Sequence, residues 1–433
     1  MKKFIGSIIQ LRKEEKVLEA VFKSSFLNLL ARVLGYIRNF AIAVLLGFSY
    51  QTDAVFMALS LMGIFLIFAD VFDSIGVPQL VKARLTSYEE FNRLSALFFT
   101  FTLIISFLLL FLALALIPLV LRIPAGFSSH ALEATQISYL LLLPYLFFSF
   151  YFHHFGAILR SLRRFTAYFI GEFILSFFLL LTTLIGLFLY KDYKVLPLSY
   201  SISQTLATLY MFYIGRDYLH LTIFWNKTTK KIVSQFFQLV LLYGIFHLYI
   251  LVDKAFASYL TEKTVSALQY GLLIAGALKG VLKFENICVT SMAESKDLLK
   301  KLNFYLKHLI FLTLPASLFL IFFAPYIIRL FFGYGAFSKL DIELTATALR
   351  FYALSLPFMF IWPLLYRAYQ IRERLFPVGV IAVLGVITNA LANYYFVFVL
   401  EFSIAGICLG TFVAYFVICL AGYCYFVFSG KVS

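Results

Sequence analysis

The chain has 433 residues, 63% of them hydrophobic and only 13% charged, with a formal net charge of +15. Soluble domains are about half apolar and about a quarter charged, so this composition excludes an ordinary soluble enzyme and indicates an integral membrane protein. The positive charge is therefore expected in cytoplasmic loops, and nucleic acid is not an expected partner.

Residues 1–23 are predicted to form an amphipathic or cytosolic segment in front of the first span. The apolar stretch in "MKKFIGSIIQLRKEEK" is too short for a signal peptide, and no small-residue cleavage site follows it.

Twelve apolar segments follow, most of them long enough to cross about 30 Å of hydrocarbon as a helix. They are predicted at residues 24–47, 53–80, 94–121, 135–159, 165–190, 195–215, 232–258, 264–292, 303–331, 342–366, 376–399 and 403–428. The polar linker 219–231 divides them six and six. We therefore predict an all-α integral membrane protein with about twelve transmembrane helices in two six-helix lobes, 24–218 and 232–433, around a central cavity.

Lysine and arginine outside the spans concentrate on one side of the predicted membrane. Most lie in the N-terminal segment and in the loops near residues 82–93, 160–164, 216–231, 296–301 and 367–374. Because cytoplasmic loops are the basic ones, both termini are predicted to be cytoplasmic.

The first span carries two arginines, Arg32 and Arg38, each about 12 Å from the nearer end of the helix. Helical spacing places Asn28, Arg32, Gly35 and Asn39 on one face, so this side cannot face lipid. Two interpretations stay open: the arginines are locked against carboxylates of the second span, or they line an aqueous cavity and bind an anion.

The second span supplies those carboxylates. Asp70 and Asp73 lie three residues apart on one face, and Asp53 lies at the outer end. Asp53 has a simpler alternative role as a helix N-cap.

The eighth span holds Lys279 and Lys283 one helical turn apart. Two neighbouring cations favour an anionic ligand. The alternative is that Lys283, together with Glu285, reaches cytosolic water at the inner end of the span.

Sequence motifs for catalysis or metal binding are absent. The chain contains no "GxxxxGK[ST]", "GxSxG" or "HExxH", its four cysteines lack C-x-x-C spacing, and the adjacent His153 and His154 carry no predicted role. We predict no catalytic residue, no metal ligand and no cofactor, so movement of a substrate is favoured over an enzymatic reaction.

Three stretches resemble the MurJ/MviN family of lipid II flippases. They are "ARVLGYIRNFAIAVLLGFSYQTDAVFMALSL" (31–61), "FASYLTEKTVSALQYGLLIAGALKGVL" (256–282) and "LFFGYGAFSKLDIELTATALRFYALSLPFMFIWPLLYRAYQIRERLFP" (330–377). The resemblance implies that Arg32 and Arg38 match two arginines that line the family's cavity. It also implies that Asp53 matches an aspartate at the start of span 2, and, with a one-residue gap, that Asp70 matches an acidic residue.

The chain also departs from the family pattern. The family has an arginine in span 2 near residues 66–67, where this chain has Leu66 and Ile67, and another in span 8, where this chain has Leu273. Asn39 stands where the family usually has aspartate. The family usually has fourteen spans, whereas twelve are predicted here.

The resemblance implies a flippase of the bacterial inner membrane that moves lipid II, a peptidoglycan precursor, to the outer leaflet by alternating access. Its expected partners are a lipid-linked pyrophosphoryl oligosaccharide, membrane lipids and the cell-wall synthesis machinery. Arg32 and Arg38 would receive the diphosphate, because guanidinium binds phosphate oxygens bidentately, and Lys279 is the candidate in the other lobe. Either the membrane potential or a coupled monovalent ion could drive transport in one direction, and the sequence does not distinguish between them.

Three alternatives remain on the sequence alone. A Wzx-like flippase for O-antigen or other polysaccharide units has the same number of spans. A MATE-type cation or drug antiporter favours acidic cavity residues, which argues against it here. A non-transporting scaffold for envelope assembly would tolerate loss of the arginines.

Overall fold

The computed structural model describes residues 17–282, 288, 291–295, 297–372, 374 and 376–429. Within these ranges the regular structure is helical, and no β-strand occurs. Most of the predicted N-terminal segment 1–23 therefore lies outside the described residues. Lys283 also lies outside them.

Within the described residues, fourteen α-helices follow one another. They are α1 (Val17–Leu46), α2 (Tyr50–Thr86), α3 (Tyr88–Ala115), α4 (Ile117–Val120), α5 (Ser129–Leu141), α6 (Leu143–Ser161), α7 (Phe165–Tyr190), α8 (Val195–Gly215), α9 (Lys227–Ala257), α10 (Thr264–Leu282), α11 (Leu298–Phe332), α12 (Lys339–Ile371), α13 (Phe376–Tyr394) and α14 (Ser403–Ser429). A short 3₁₀ helix, Arg216–Tyr218, follows α8, and a π-helical turn, Tyr395–Val399, follows α13.

Each predicted span coincides with helical structure in the described part of the chain, although the count of twelve crossings stays a prediction. Ten helical segments there are long and apolar enough to cross a membrane. The helices at the sixth and eighth predicted spans, α8 and α10, are not among those ten. The fourth span is interrupted between α5 and α6, where Pro144 stands at the beginning of α6 and has no backbone N–H to donate.

The chain divides into two compact units. The first comprises Met1–Leu46, Ala58–Leu121 and Glu133–Tyr243, and the second comprises Gly47–Met57, Arg122–Leu132 and Gly244–Ser433. The helices α2 and α9 each contribute residues to both units. The lobe limits predicted from the sequence, 24–218 and 232–433, stay a prediction.

In the first unit α1 packs against α7, α7 against α8, and α8 and α3 against α6. Small residues allow these helices to approach closely, as membrane helix interfaces require. A Cβ atom at Gly171 of α7 would lie 2.7 Å from the sulfur of Met211 in α8, so a larger residue would push these helices apart.

In the second unit α12 is the central helix and packs against α10, α11 and α14, while α13 packs against α14. Trp362, Tyr352 and Tyr369 of α12 are each at most 1% exposed. By contrast, α11 exposes large apolar side chains such as Phe311 and Phe322, as expected of a helix that faces lipid.

Candidate functional site

Arg38 is the best-defined cation of the first unit. Its guanidinium carbon lies 4.8 Å from the centroid of the Tyr200 ring, and Nη2 donates a hydrogen bond to Asn39 Oδ1 over 3.3 Å. The buried Nε has no hydrogen-bond partner among the residues that the structure describes. Arg38 is thus held by an aromatic face and an amide, and it retains donors for an additional acceptor.

Arg32 lies on the same helix, α1, and is likewise partly buried. Neither Arg32 nor Arg38 forms an ion pair with a carboxylate within the described part of the chain, which does not include the side chain of Asp73. The described residues therefore give no support to the interpretation that carboxylates lock these arginines.

Asp70 lies in the same neighbourhood of the first unit as Arg38. The rings of Tyr145 and Tyr200 are 5.3 Å apart, and the charges of both Arg38 and Asp70 act on Tyr145. Asp70 Oδ1 also lies 3.8 Å from His153 Nε2, within ion-pair distance if the histidine is protonated. No role was predicted for His153, because two adjacent histidines on a helix do not indicate a partner on another helix.

Asp53 belongs to the second unit, where it caps another helix. Both carboxylate oxygens are used: Oδ2 accepts from Lys263 N over 2.6 Å, and Oδ1 accepts from Ser266 N over 2.8 Å and from Ser266 Oγ over 2.6 Å. These donors lie at the beginning of α10, where the first backbone N–H groups have no acceptor within the helix. Asp53 therefore caps the N-terminus of α10. The N-terminus of its own helix, α2, is capped instead by reciprocal hydrogen bonds between Ser49 and Thr52.

Lys279 lies in the last turn of α10 and is partly buried in the second unit. The roles of Arg32, Arg38, Asp53, Asp70, Lys279 and Lys283 in substrate binding stay predictions.

The most extensive polar cluster surrounds Asp253 of α9, a residue that is 5% exposed. Its Oδ1 accepts from Asn389 Nδ2 over 3.0 Å and from Asn393 Nδ2 over 2.9 Å. Its Oδ2 accepts from Thr411 Oγ1 over 2.6 Å and from Tyr352 Oη over 3.2 Å. Side chains from α12, α13 and α14 thus converge on one carboxylate, and four donors offset the cost of its burial.

This cluster also contains unused acceptors. Asn389 and Asn393 are 0% exposed, yet the Oδ1 atom of each has no hydrogen-bond partner among the described residues. Rotating either carboxamide by about 180° about χ2 exchanges its oxygen and nitrogen, which would turn the amide oxygen toward the carboxylate. With Thr411 Oγ1, the site would then present only oxygen ligands around a single negative charge, the donor set of a small hard cation.

A divalent or transition-metal site would need more carboxylate, histidine or cysteine ligands. No group of three or more such residues that could hold a metal occurs among the described residues. The charge of the Asp253 cluster therefore matches a monovalent cation. This cluster was not predicted from the sequence, although two asparagines one turn apart in an apolar helix, Asn389 and Asn393, indicate a buried polar site.

Lys254, the next residue after Asp253, is 4% exposed and points to different partners. Its Nζ donates to Phe56 O over 2.9 Å and to Gln269 Oε1 over 2.8 Å. A buried ammonium needs such acceptors, and here they tie α9 to the first turns of α2 and α10.

The comparisons with known proteins decide the family. The family model described as "Lipid II flippase MurJ" matches residues 42–429. The chain belongs to this family. Its function class is therefore that of a transporter, and it is a multi-pass membrane protein.

Curated relatives cover most of the chain. A probable lipid II flippase MurJ of Rickettsia prowazekii is 26% identical over 354 residues, which cover 77% of this chain and 69% of the relative. A probable lipid II flippase MurJ of Aquifex aeolicus is 25% identical over 416 residues, covering 89% of this chain and 79% of the relative.

Solved structures agree on the fold. A lipid II flippase MurJ in an inward closed conformation superposes with a TM-score of 0.78 at 24% identity, covering 94% of this chain and 87% of that one. An outward-facing MATE family multidrug resistance transporter gives a TM-score of 0.68 at 15% identity, covering 98% of both chains. At these identities the likeness shows the fold alone. The family match favours the lipid II flippases over the polysaccharide and drug exporters considered above.

Proposed function

We propose that this protein flips lipid II from the cytoplasmic to the outer leaflet of the bacterial inner membrane by alternating access, with both termini cytoplasmic. The observation that carries this proposal is Arg38, a membrane-embedded guanidinium whose Nε lacks a partner among the described residues. Burying a diphosphate in hydrocarbon without compensation is prohibitive, and a guanidinium with free donors is the group that compensates it best.

Arg38 and Arg32 would bind the diphosphate, with the ring of Tyr200 holding the guanidinium of Arg38 in place. Asp70, close to the same group of residues, would compete for the cations when no substrate is bound. Asp53, Lys279 and Lys283 complete the proposed set of binding residues. The proposed partners are the lipid-linked substrate, membrane lipids and cell-wall synthesis proteins.

Flipping assays in proteoliposomes test this role. Arg38→Ala should lower the rate of lipid II flipping roughly 10- to 100-fold, the value of charge-assisted hydrogen bonds to one charged group. The matched control is Arg122→Ala, which removes an exposed arginine and should leave the rate unchanged. Full flipping by Arg38→Ala in correctly inserted protein would refute the assignment.

A complementation assay tests the substrate. The gene should rescue a bacterial strain depleted of its lipid II flippase and should not rescue a strain that lacks its polysaccharide-unit flippase. The reverse result would favour the Wzx-like alternative.

We further propose that a monovalent cation bound at Asp253 couples to flipping. Support comes from the single buried carboxylate, the hydroxyl of Thr411 and the two amide oxygens that have no partner among the described residues. A cation that crosses the field contributes about 2.3 kcal/mol per 100 mV, which is enough to give direction.

Ion replacement tests the coupling. Exchanging Na⁺ and K⁺ for a bulky organic cation should slow lipid II flipping by the wild-type protein. The Asp253→Asn protein should flip lipid II slowly, at a rate that does not depend on the cation in the buffer. Ser355→Ala removes a different buried hydroxyl of the second unit and should keep the ion dependence. If wild-type flipping is independent of the cation but responds to the membrane potential, the potential alone supplies direction.

A further inference from the structure

The linker between the 3₁₀ helix Arg216–Tyr218 and α9 forms no helix or strand over residues 219–226, and the exposure of its side chains alternates from Leu221 to Trp225. Leu221, Ile223 and Trp225 are 66%, 77% and 68% exposed, whereas Thr222 and Phe224 are partly buried. Alternation is the ordinary geometry of extended backbone. It places three large apolar side chains on the outer face of the segment, where most of their surface is exposed.

The inner face of this segment is fixed to α3 at two points. The backbone N–H of Thr222 donates to Thr100 Oγ1 over 3.1 Å, and the guanidinium carbon of Arg93 lies 4.3 Å from the centroid of the Phe224 ring. Thr100 Oγ1 in turn donates to Ala96 O over 2.9 Å. The hydroxyl therefore uses its proton within α3 and keeps a lone pair for the linker.

These two points lie at different depths. Arg93 stands at the membrane boundary predicted from the sequence, and Thr100 lies seven residues further into the span, about 10 Å along the helix axis. The linker therefore runs along the predicted cytoplasmic end of α3, with Leu221 nearer the membrane than Trp225. Within the described part of the chain, Thr222 is the one residue of 220–226 whose backbone N–H has a hydrogen-bond partner. Because unpaired amides are not tolerated in hydrocarbon, the backbone of this segment belongs at the hydrated interface, and only its apolar side chains reach the acyl chains.

The chemistry of the shallow end matches an anionic lipid surface. Tryptophan is enriched at the boundary between acyl chains and headgroups. Arg216, Lys230 and Lys231 are exposed on either side of Trp225 in the sequence, and Arg93 contacts the ring of the neighbouring Phe224. Basic residues at this level attract anionic headgroups.

We propose that residues 219–226 form an interfacial anchor: Leu221 and Ile223 insert among acyl chains, Trp225 lies at the headgroup boundary, and Lys230 and Lys231 recruit an anionic phospholipid. This anchor is independent of the proposed substrate and coupling ion, because it rests on contacts outside those sites.

The chain offers a direct reporter, since its only two tryptophans are Trp225 and Trp362. Trp362 is 1% exposed, and Trp362→Phe leaves Trp225 as the single tryptophan, which can be excited selectively over the tyrosines. In vesicles of phosphatidylcholine and phosphatidylglycerol, lipids brominated near the headgroup end of the acyl chain should quench Trp225 more strongly than lipids brominated near the methyl end. If Trp362→Phe fails to fold, the difference between wild type and Trp225→Phe gives the same signal.

Headgroup specificity is tested by moving the bromine label between the two lipids. Brominated phosphatidylglycerol should quench Trp225 more than brominated phosphatidylcholine at equal mole fraction. Lys230→Gln with Lys231→Gln should reduce that preference by up to roughly 30-fold, because each lysine near an anionic surface contributes roughly fivefold in affinity. Equal quenching by both lipids would overturn the anionic assignment.

The depth of the anchor depends on Thr100. Thr100→Val removes the acceptor for the Thr222 N–H, so bromolipid quenching should fall and access of aqueous iodide should rise. Thr102→Val is the matched control, because Thr102 is buried on the same helix and its hydroxyl bonds only to Phe98 O, over 2.8 Å. If iodide quenches Trp225 strongly in the protein without the Thr100→Val substitution, and bromolipids do not, the segment lies in water and the proposal is refuted.

Discussion

Arg38 and Asp253 are both charged residues within apolar helices, but they differ in how many hydrogen-bond partners the protein supplies to the charged group. Asp253 accepts four hydrogen bonds from three other helices and is almost completely buried. Arg38 has one amide contact, one aromatic ring and a nitrogen without a partner among the described residues. In this arrangement the protein itself satisfies Asp253, and a cation can bind there only after the carboxamides of Asn389 and Asn393 rotate. Arg38 keeps an open donor for a ligand without such a rearrangement.

The largest expected loss of stability follows from breaking the saturated site. Asp253→Ala would leave the donors of Asn389, Asn393 and Tyr352 buried without this acceptor, whereas Thr411 Oγ1 keeps Ile407 O, over 3.3 Å. The free energy of unfolding should fall by about 3–5 kcal/mol. Thermal unfolding of the purified protein in detergent measures this loss. Asp253→Asn, which keeps the shape and one acceptor, should lose clearly less. Equal stability of Asp253→Ala and wild type would show that the cluster is not structural.

Asp53 sharpens the comparison, because the family resemblance groups it with Arg38 while its contacts resemble those of Asp253. Asp53→Ala should cost about 2 kcal/mol, the upper range for loss of a helix N-cap, since the amides of Lys263 and Ser266 lose their acceptor. Asp53→Asn should recover part of this loss. A stable Asp53→Ala protein with abolished flipping would instead support a direct role in substrate binding.

The positions of the helices followed from the sequence, whereas the partners of most charged residues did not. Apolar length and helical periodicity are local properties, and they located Arg32 and Arg38 on a polar face of α1. Asp53 bonds to Lys263 across 210 residues of sequence, and Asp253 bonds to Thr411 across 158. Such contacts depend on how distant helices pack, which no local pattern encodes. The helical spacing of Asn389 and Asn393 was the one local sign of the second cluster.

The smallest expected effect on stability belongs to Arg38. Arg38→Ala removes a cation–π contact and one long hydrogen bond, so the free energy of unfolding should change by about 1 kcal/mol or less, although flipping is expected to fall sharply. The same detergent unfolding assay, run beside Asp253→Ala and Asp53→Ala, measures the difference. Tyr200→Leu is an informative companion, because it removes the ring under the guanidinium while keeping the cation. A loss of stability in Arg38→Ala as large as that in Asp253→Ala would mean that the arginine, too, is a structural charge, and the distinction between an open and a saturated site would no longer hold.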